Sequence, residues 1–189
     1  MILRDIIPKE QGHYIHRYDL AYTLEDGSDK VYEIISRKKD LHVTGELRRS
    51  EPDAVVIIAT DDSGERILLN KEFRMAVGEW VYSFPAGLIE PGESYLECAR
   101  RELKEETGVN FVECIAVLPP SYASQGTSDE LMQIVICICE GEIKDSTFEE
   151  EEIHANWYTK GQVKKLLDDG AFMSVRTQMF LWQWVHEKE

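Results

Sequence analysis

The segments Gly87 to Glu93 and Arg101 to Val109 together set five carboxylates and two cationic side chains around a glycine-bounded loop. Glu90 and Glu93 lie in Gly-Leu-Ile-Glu-Pro-Gly-Glu, and Arg101, Glu102, Lys104, Glu105 and Glu106 lie in Arg-Glu-Leu-Lys-Glu-Glu-Thr-Gly-Val. At about 100° per residue a helix brings Glu102, Glu105 and Glu106 to one side, because positions three and four apart are neighbours. Leu96, Ala99 and Leu103 form an adjoining apolar stripe that can hold the helix against a core. Three clustered carboxylates repel one another by roughly several kcal/mol at low effective dielectric, so they need counter-charge. Arg101 supplies one, and a divalent cation would supply the rest. Hard oxygen donors suit Mg2+ or Mn2+, which keep some waters and bind substrate phosphates beside one or two carboxylates. Residue types alone also allow a solvated acidic helix face with ordinary salt bridges.

A helix carrying these acids needs a start, an end and a sheet to lie on. The start is expected near Glu93 to Tyr95 and the end at Gly108, where glycine can take the left-handed closing conformation. Upstream, Ala54 to Thr60 is a β-branched apolar run, and Asp61-Asp-Ser-Gly64 turns the chain into Arg66 to Phe73. Trp80 to Phe84 alternates like a half-buried strand, and Pro85-Ala86-Gly87 leads into the acidic loop. Downstream, Val109 to Leu118 and Leu131 to Cys139 read as strands separated by a polar loop. Gln162 to Leu167 and Val175 to Val185 read as helices. Near the start, residues 13 to 24 and 29 to 36 read as a hairpin turned at Glu25-Asp-Gly-Ser28. The charged, proline-containing stretch Gly45 to Asp53 then marks a boundary near residue 50. The expected class is α/β: residues 1–50 form a small antiparallel β subdomain, and residues 51–189 form an α/β/α sandwich with a mixed sheet.

At 189 residues the chain can hold one domain of ordinary size plus a small appendage. A net charge of −15 with no basic stripe argues against nucleic acid as partner. It leaves a nucleotide substrate open, since a bound metal inverts the local charge. No signal peptide is visible at the start and no run approaches the roughly 18 apolar residues of a membrane span, so the expected location is cytoplasmic. Cys98, Cys114, Cys137 and Cys139 show no paired zinc spacing, and reduced cysteines in apolar strands behave as small hydrophobes.

The spacing adds specificity. Gly87, five residues, Glu93, seven residues, then Arg101-Glu102-Leu103-x-Glu105-Glu106-x-Gly108-Val109 resembles the Nudix box at every defined position. The resemblance implies hydrolysis of a nucleoside diphosphate linked to another group. It further implies that Glu102 and Glu106 ligate metal, with Glu105 a further ligand or catalytic carboxylate, and that Glu93 and Arg101 pin the loop to the helix.

Three segments outside the box are similar to ADP-ribose and ADP-sugar pyrophosphatases. Glu72-Phe73-Arg74 with Trp80 to Gly87 implies that Arg74 contacts the phosphates, that the Ala86 carbonyl ligates metal, and that Leu88 lies beside the substrate. Read without the resemblance, Arg74 forms a surface ion pair with Glu72 or Glu79. Ser124-Gln125-Gly126-Thr-Ser-Asp-Glu130 resembles the subfamily's substrate-holding loop, which implies roles for Ser124, Gly126 and Glu130. Gln125 stands where that loop carries proline, which puts the identity of the sugar in question. Glu149 to Glu152 is by itself a solvated loop. By resemblance, Glu149 is the catalytic base and Glu151 a metal ligand, with Glu150 and Glu152 as the neighbouring registers. The resemblance also implies a homodimer through the N-terminal subdomain, with Tyr32 and Arg37 as candidates for the nucleobase clamp. The expected activity is Mg2+-dependent cleavage of a small-molecule nucleotide sugar, ADP-ribose first. Other nucleotide sugars such as GDP-mannose, dinucleoside polyphosphates, or ADP-ribose sensing without cleavage are the alternatives.

Overall fold

The computed structural model describes residues 1–47, 51–144, 146 and 152–187. They divide into two compact units, Met1–Asp53 with Pro120–Gln133, and Ala54–Pro119 with Ile134–Glu189.

The first unit is built on an antiparallel sheet of β1 (Ile2–Gln11), β2 (His16–Thr23) and β3 (Asp29–Ser36), in that order, with the short helix α1 (Thr44–Leu47) after it. The β2–β3 pairing is the expected hairpin. β1 is an addition to the expectation. It pairs with β2 but buries only Ile6, and register shifts flank Leu3/Asp5 and Pro8/Gln11. An edge strand exposed along nearly its whole length shows no alternation, and it tolerates Pro8 because an edge need not donate. Ile6, Tyr18, Leu20, Ile34 and Leu41 make the unit's core. The 120–133 segment adds the two-residue strand β9 (Ser121–Tyr122), paired with Leu131 and Met132.

The second unit contains β4 (Ala54–Thr60), β5 (Arg66–Arg74), β6 (Glu79–Ser83), β7 (Ala86–Leu88), α2 (Tyr95–Thr107) and β8 (Asn110–Val117). β10 (Leu131–Glu140) gives it all but its first three residues, and β11 (Ile153–Thr159), α3 (Lys160–Asp168) and α4 (Val175–His186) complete it. Its sheet runs β11-β5-β4-β10-β8, with β6 on β5 and β7 on β4. Val55, Ile57 and Ala59 of β4 alternate onto one face with Leu68 of β5 and Val135 and Cys137 of β10, and α2 packs there through Cys98, Ala99 and Leu103. Val56, Ile58, Ile67 and Leu69 point the other way and are also buried, so both faces of the sheet are covered. This is the expected α/β fold with a mixed sheet. No helix among the described residues is long and apolar enough to cross a membrane.

Candidate functional site

The acidic helix is fixed at both ends by its sequence. Ser94 caps α2 by accepting from the Glu97 amide, and the Glu97 carboxylate accepts from the Ser94 amide at 2.8 Å, a reciprocal capping box. Gly108 closes the helix at φ 76°. Its absent side chain also leaves room for Lys144, whose Cβ lies 2.6 Å from where a Cβ on residue 108 would be.

Between these caps the acids separate. Glu102 and Glu106, one turn apart, share the buried face with Ala99 and Leu103, whereas the Glu105 side chain is 36% exposed at the rim. Glu102 lies against Gly87. An ideal Cβ on residue 87 would sit 1.9 Å from the Glu102 carboxyl carbon, and β7 holds Gly87 there by pairing it with Val55. Glu106 accepts from Asn70 Nδ2 at 2.8 Å and from the Ala86 amide at 3.3 Å. Ala86 and Gly87 are thus brought to the two carboxylates by the register of β7 on β4.

Arg101 ties the loop to the helix. Its Nε and Nη2 donate to the two oxygens of Glu93 at 2.9 Å each, Nη2 also to the Leu88 carbonyl at 3.0 Å, and Nη1 to Glu102 at 2.7 Å and Glu105 at 3.1 Å. The hydrogen bonds from Arg101 hold the Glu93 carboxyl down at about 2 against an ordinary value of 4.5. A lowered folded-state value stabilises the protein above about pH 4.5, and that contribution is lost as the pH falls towards about 2. Glu93→Gln is therefore expected to cost about 1.5–3 kcal/mol in urea unfolding at neutral pH. Wild type and variant should converge as the solution is acidified through that window.

The two buried acids shift the opposite way. Burial, opposed by the Arg101 contact, raises the Glu102 carboxyl. Burial first, then the Glu102 charge, pushes Glu106 well above its ordinary 4.5. Two carboxylates driven towards the neutral form are what a divalent cation would hold ionised, and hard oxygen donors fit Mg2+ or Mn2+. Among the described residues no three acidic, histidine or cysteine side chains form a cation site by themselves. Glu149 and Glu151, the base and ligand expected by resemblance, lie outside the described residues, as does Glu150. Glu152 is described: its carbonyl accepts from the Phe73 amide at 3.2 Å, and Ile153 follows it opposite Glu72. A raised folded value gives stability that is present below about pH 4.5 and lost as pH rises through the folded value. In a chelator the melting temperature should therefore climb as pH is lowered from above neutral towards the ordinary carboxylate value of 4.5, and millimolar Mg2+ should flatten the climb. Identical curves with and without Mg2+ would count against the cation.

Arg74, at the end of β5, pairs with Glu72 at 2.9 Å and is half exposed, the ion pair offered as the alternative reading. Leu88 in β7 is exposed, and the remaining described residues predicted for the site belong to the first unit. Arg37 Nε donates to Glu130 at 2.8 Å, Tyr32 donates its hydroxyl to the Gly126 carbonyl at 2.6 Å, and Ser124 shares a 2.8 Å hydrogen bond with Thr127. Tyr32 of β3 and Arg37 just beyond it thus hold the 124–130 loop. Sequence reasoning missed Asn70 within an apolar strand, because its partner Glu106 is 36 residues away.

Comparison with known proteins gives concordant results. The chain is 34% identical over 85 residues to an ADP-ribose pyrophosphatase of Bacillus subtilis, a match covering 45% of each protein. It is 34% identical over 112 residues to the NAD-capped RNA hydrolase ndx-9 of Caenorhabditis elegans, covering 59% of this chain and 29% of that one. It therefore spans less than half the length of these curated relatives. A solved structure described as an ADP compounds hydrolase shares the fold at a TM-score of 0.71 and 22% identity, over 97% of this chain and 95% of that one. The model of the NUDIX domain matches residues 50–177, a stretch that holds the acidic loop, the capped helix and both buried carboxylates. The chain belongs to the NUDIX domain family.

Proposed function

We propose that this protein is a Mg2+-dependent hydrolase of nucleoside diphosphate sugars, with ADP-ribose the first substrate and AMP plus ribose 5-phosphate the products. The observation that carries the reading is the buried pair Glu102 and Glu106, the first set against Gly87 and the second bonded to the Ala86 amide, with burial raising both carboxyls. The choice of an ADP compound draws support from the Bacillus subtilis relative, named for ADP-ribose.

Glu102, Glu106, the Ala86 carbonyl and Glu151 would hold the cation, with Mn2+ an alternative ion. When bound, it neutralises the diphosphate and acidifies water. Glu149, or a neighbour in the same acidic run, takes the proton of the attacking water, a step worth about 10²- to 10⁴-fold. The water oxygen joins one phosphorus, the bridging P–O bond breaks, and the leaving phosphate monoester departs with charge that Arg74 stabilises once it turns from Glu72. Glu105 adds a further carboxylate at the rim. Leu88, Ser124, Gly126 and Glu130 are substrate-binding residues in this reading, and Arg37 is a candidate for the nucleobase clamp. Residues 1–50 act as the dimerising subdomain of a cytoplasmic homodimer, and 51–189 as the hydrolase domain.

A second reading, cleavage of NAD or an NAD-capped RNA end, is favoured by the similarity to ndx-9, which extends over more of this chain. Both readings share an adenosine pyrophosphate. Purified protein should be incubated with Mg2+ and, separately, ADP-ribose, GDP-mannose, NAD and NAD-capped RNA, and the released monophosphates resolved by chromatography. Fastest turnover of ADP-ribose supports the proposal, and faster release from NAD or capped RNA supports the second. Tight binding of ADP-ribose with no AMP released would sink the enzymatic reading.

A further inference from the structure

β5 changes character along one face. Leu68, Asn70 and Glu72 alternate to the same side of the strand, and all three are buried. Leu68 packs in the core beneath α2. Two residues on, an asparagine only 1% exposed replaces the expected apolar side chain. β5 is flanked here on both sides, since Asn70 lies opposite Ser83 of β6 and Ala155 of β11. Its side-chain amide is therefore the part available to the site. Nδ2 donates to Glu106 at 2.8 Å, whereas Oδ1 is buried with no hydrogen-bond partner among the described residues. Turning the amide over would place two acceptors face to face, so the carboxylate fixes which end points at it. Leaving a carbonyl buried and unmatched costs about 1–3 kcal/mol, a cost that a leucine at this position would avoid.

We propose that Asn70 is a positioning residue of the cation site: Nδ2 fixes one oxygen of Glu106, and Oδ1 accepts a hydrogen bond from a water on the bound cation. Such a water is available because Mg2+ and Mn2+ keep part of their hydration shell when only one or two carboxylates bind them. The amide then serves two tasks with its two ends. It keeps Glu106 from rotating away, and it anchors the hydration shell on the side of β5. Partners of this kind, one step removed from the ion, typically govern metal affinity by about 10- to 100-fold.

The inference rests on the cation reading of Glu102 and Glu106, and the test separates the two. Mn2+ binding to substrate-free protein is measured by titration calorimetry for wild type, Asn70→Leu and Glu106→Gln, with melting temperatures in chelator. Asn70→Leu is expected to raise the Mn2+ dissociation constant about 10- to 100-fold without lowering the cation-free melting temperature. A dissociation constant within about twofold of wild type, whether or not the melting temperature falls, overturns the role of Asn70. If Glu106→Gln loses Mn2+ affinity while Asn70→Leu keeps it, only the Asn70 inference fails. If Glu106→Gln also binds like wild type, the cation site itself is refuted. Should Asn70→Leu not fold, Asn70→Ser, whose hydroxyl is too short to meet both groups, is judged by the same criterion.

Discussion

Glu106→Gln is expected to lower kcat/KM for ADP-ribose by about 10²- to 10³-fold while making the cation-free protein more stable. The two effects have one origin. Glu106 is 5% exposed, and burial and the Glu102 charge both oppose its ionised form, so in the absence of a cation it is a burden on the fold. Glutamine keeps the shape and can still accept from Asn70 and the Ala86 amide through its remaining oxygen, but it carries no charge to desolvate. A gain of about 1 kcal/mol is in line with relieving a functional site of its strain. The same change removes an anionic ligand, and with it charge stabilisation of the size lost when a preorganised electrostatic group is deleted. Steady-state rates with Mg2+ and melting curves in chelator give both numbers. Full activity in the variant would refute the ligand assignment, and loss of both activity and stability would mark Glu106 as a structural residue.

The second large effect is expected from Gly87→Ala. Gly87 has no left-handed backbone to protect, so an added methyl is judged by space alone, and it falls 1.9 Å from both the Glu102 carboxyl carbon and its Oε1. Glu102 cannot simply swing aside, because it is buried and held by Arg101 at 2.7 Å. Either the carboxylate leaves its place or β7 parts from β4 at the Val55 pairing. Misplacement by about 1 Å at a reacting centre can cost about 10²-fold in rate, and overpacking costs about 1–3 kcal/mol. The double variant Gly87→Ala/Glu102→Ala should recover the stability and none of the activity. A cycle of the four proteins, measured by urea unfolding, reports the clash as a coupling energy. Additive losses would place the damage elsewhere.

Both predictions depend on features of unequal legibility in the sequence. The helix was readable to within a residue or two, because Ser94, Glu97 and Gly108 are local signals whose chemistry acts over one turn. The grouping of the three acids was readable only in part. Glu102 and Glu106 are one turn apart and share the buried face, while Glu105 is rotated away to meet Arg101 at the rim. β1, β7 and β9 lacked any usable periodicity, being respectively exposed except at Ile6 and partly at Leu3, three residues long and two residues long. The Asn70–Glu106 hydrogen bond joins positions 36 apart and no local pattern encodes it, whereas Gly87 and Glu102 share the box, whose spacing does not itself reveal that they touch. Compact acidic boxes announce themselves; the groups that tune them do not.

The pairing of β3 with the 124–130 loop has a kinetic meaning. Tyr32 meets Gly126 across 94 positions and Arg37 meets Glu130 across 93, so closing the first unit traps a very long loop of chain. Closure entropy grows only as the logarithm of that length, yet it must be overcome before any contact rewards it. During synthesis the N-terminal hairpin waits for Pro120–Gln133 to emerge, while the intervening strands and α2 are already free to form. The β1–β3 sheet, though it precedes that loop in the chain, is thus completed only after the loop is made, through the contacts that hold the proposed substrate loop.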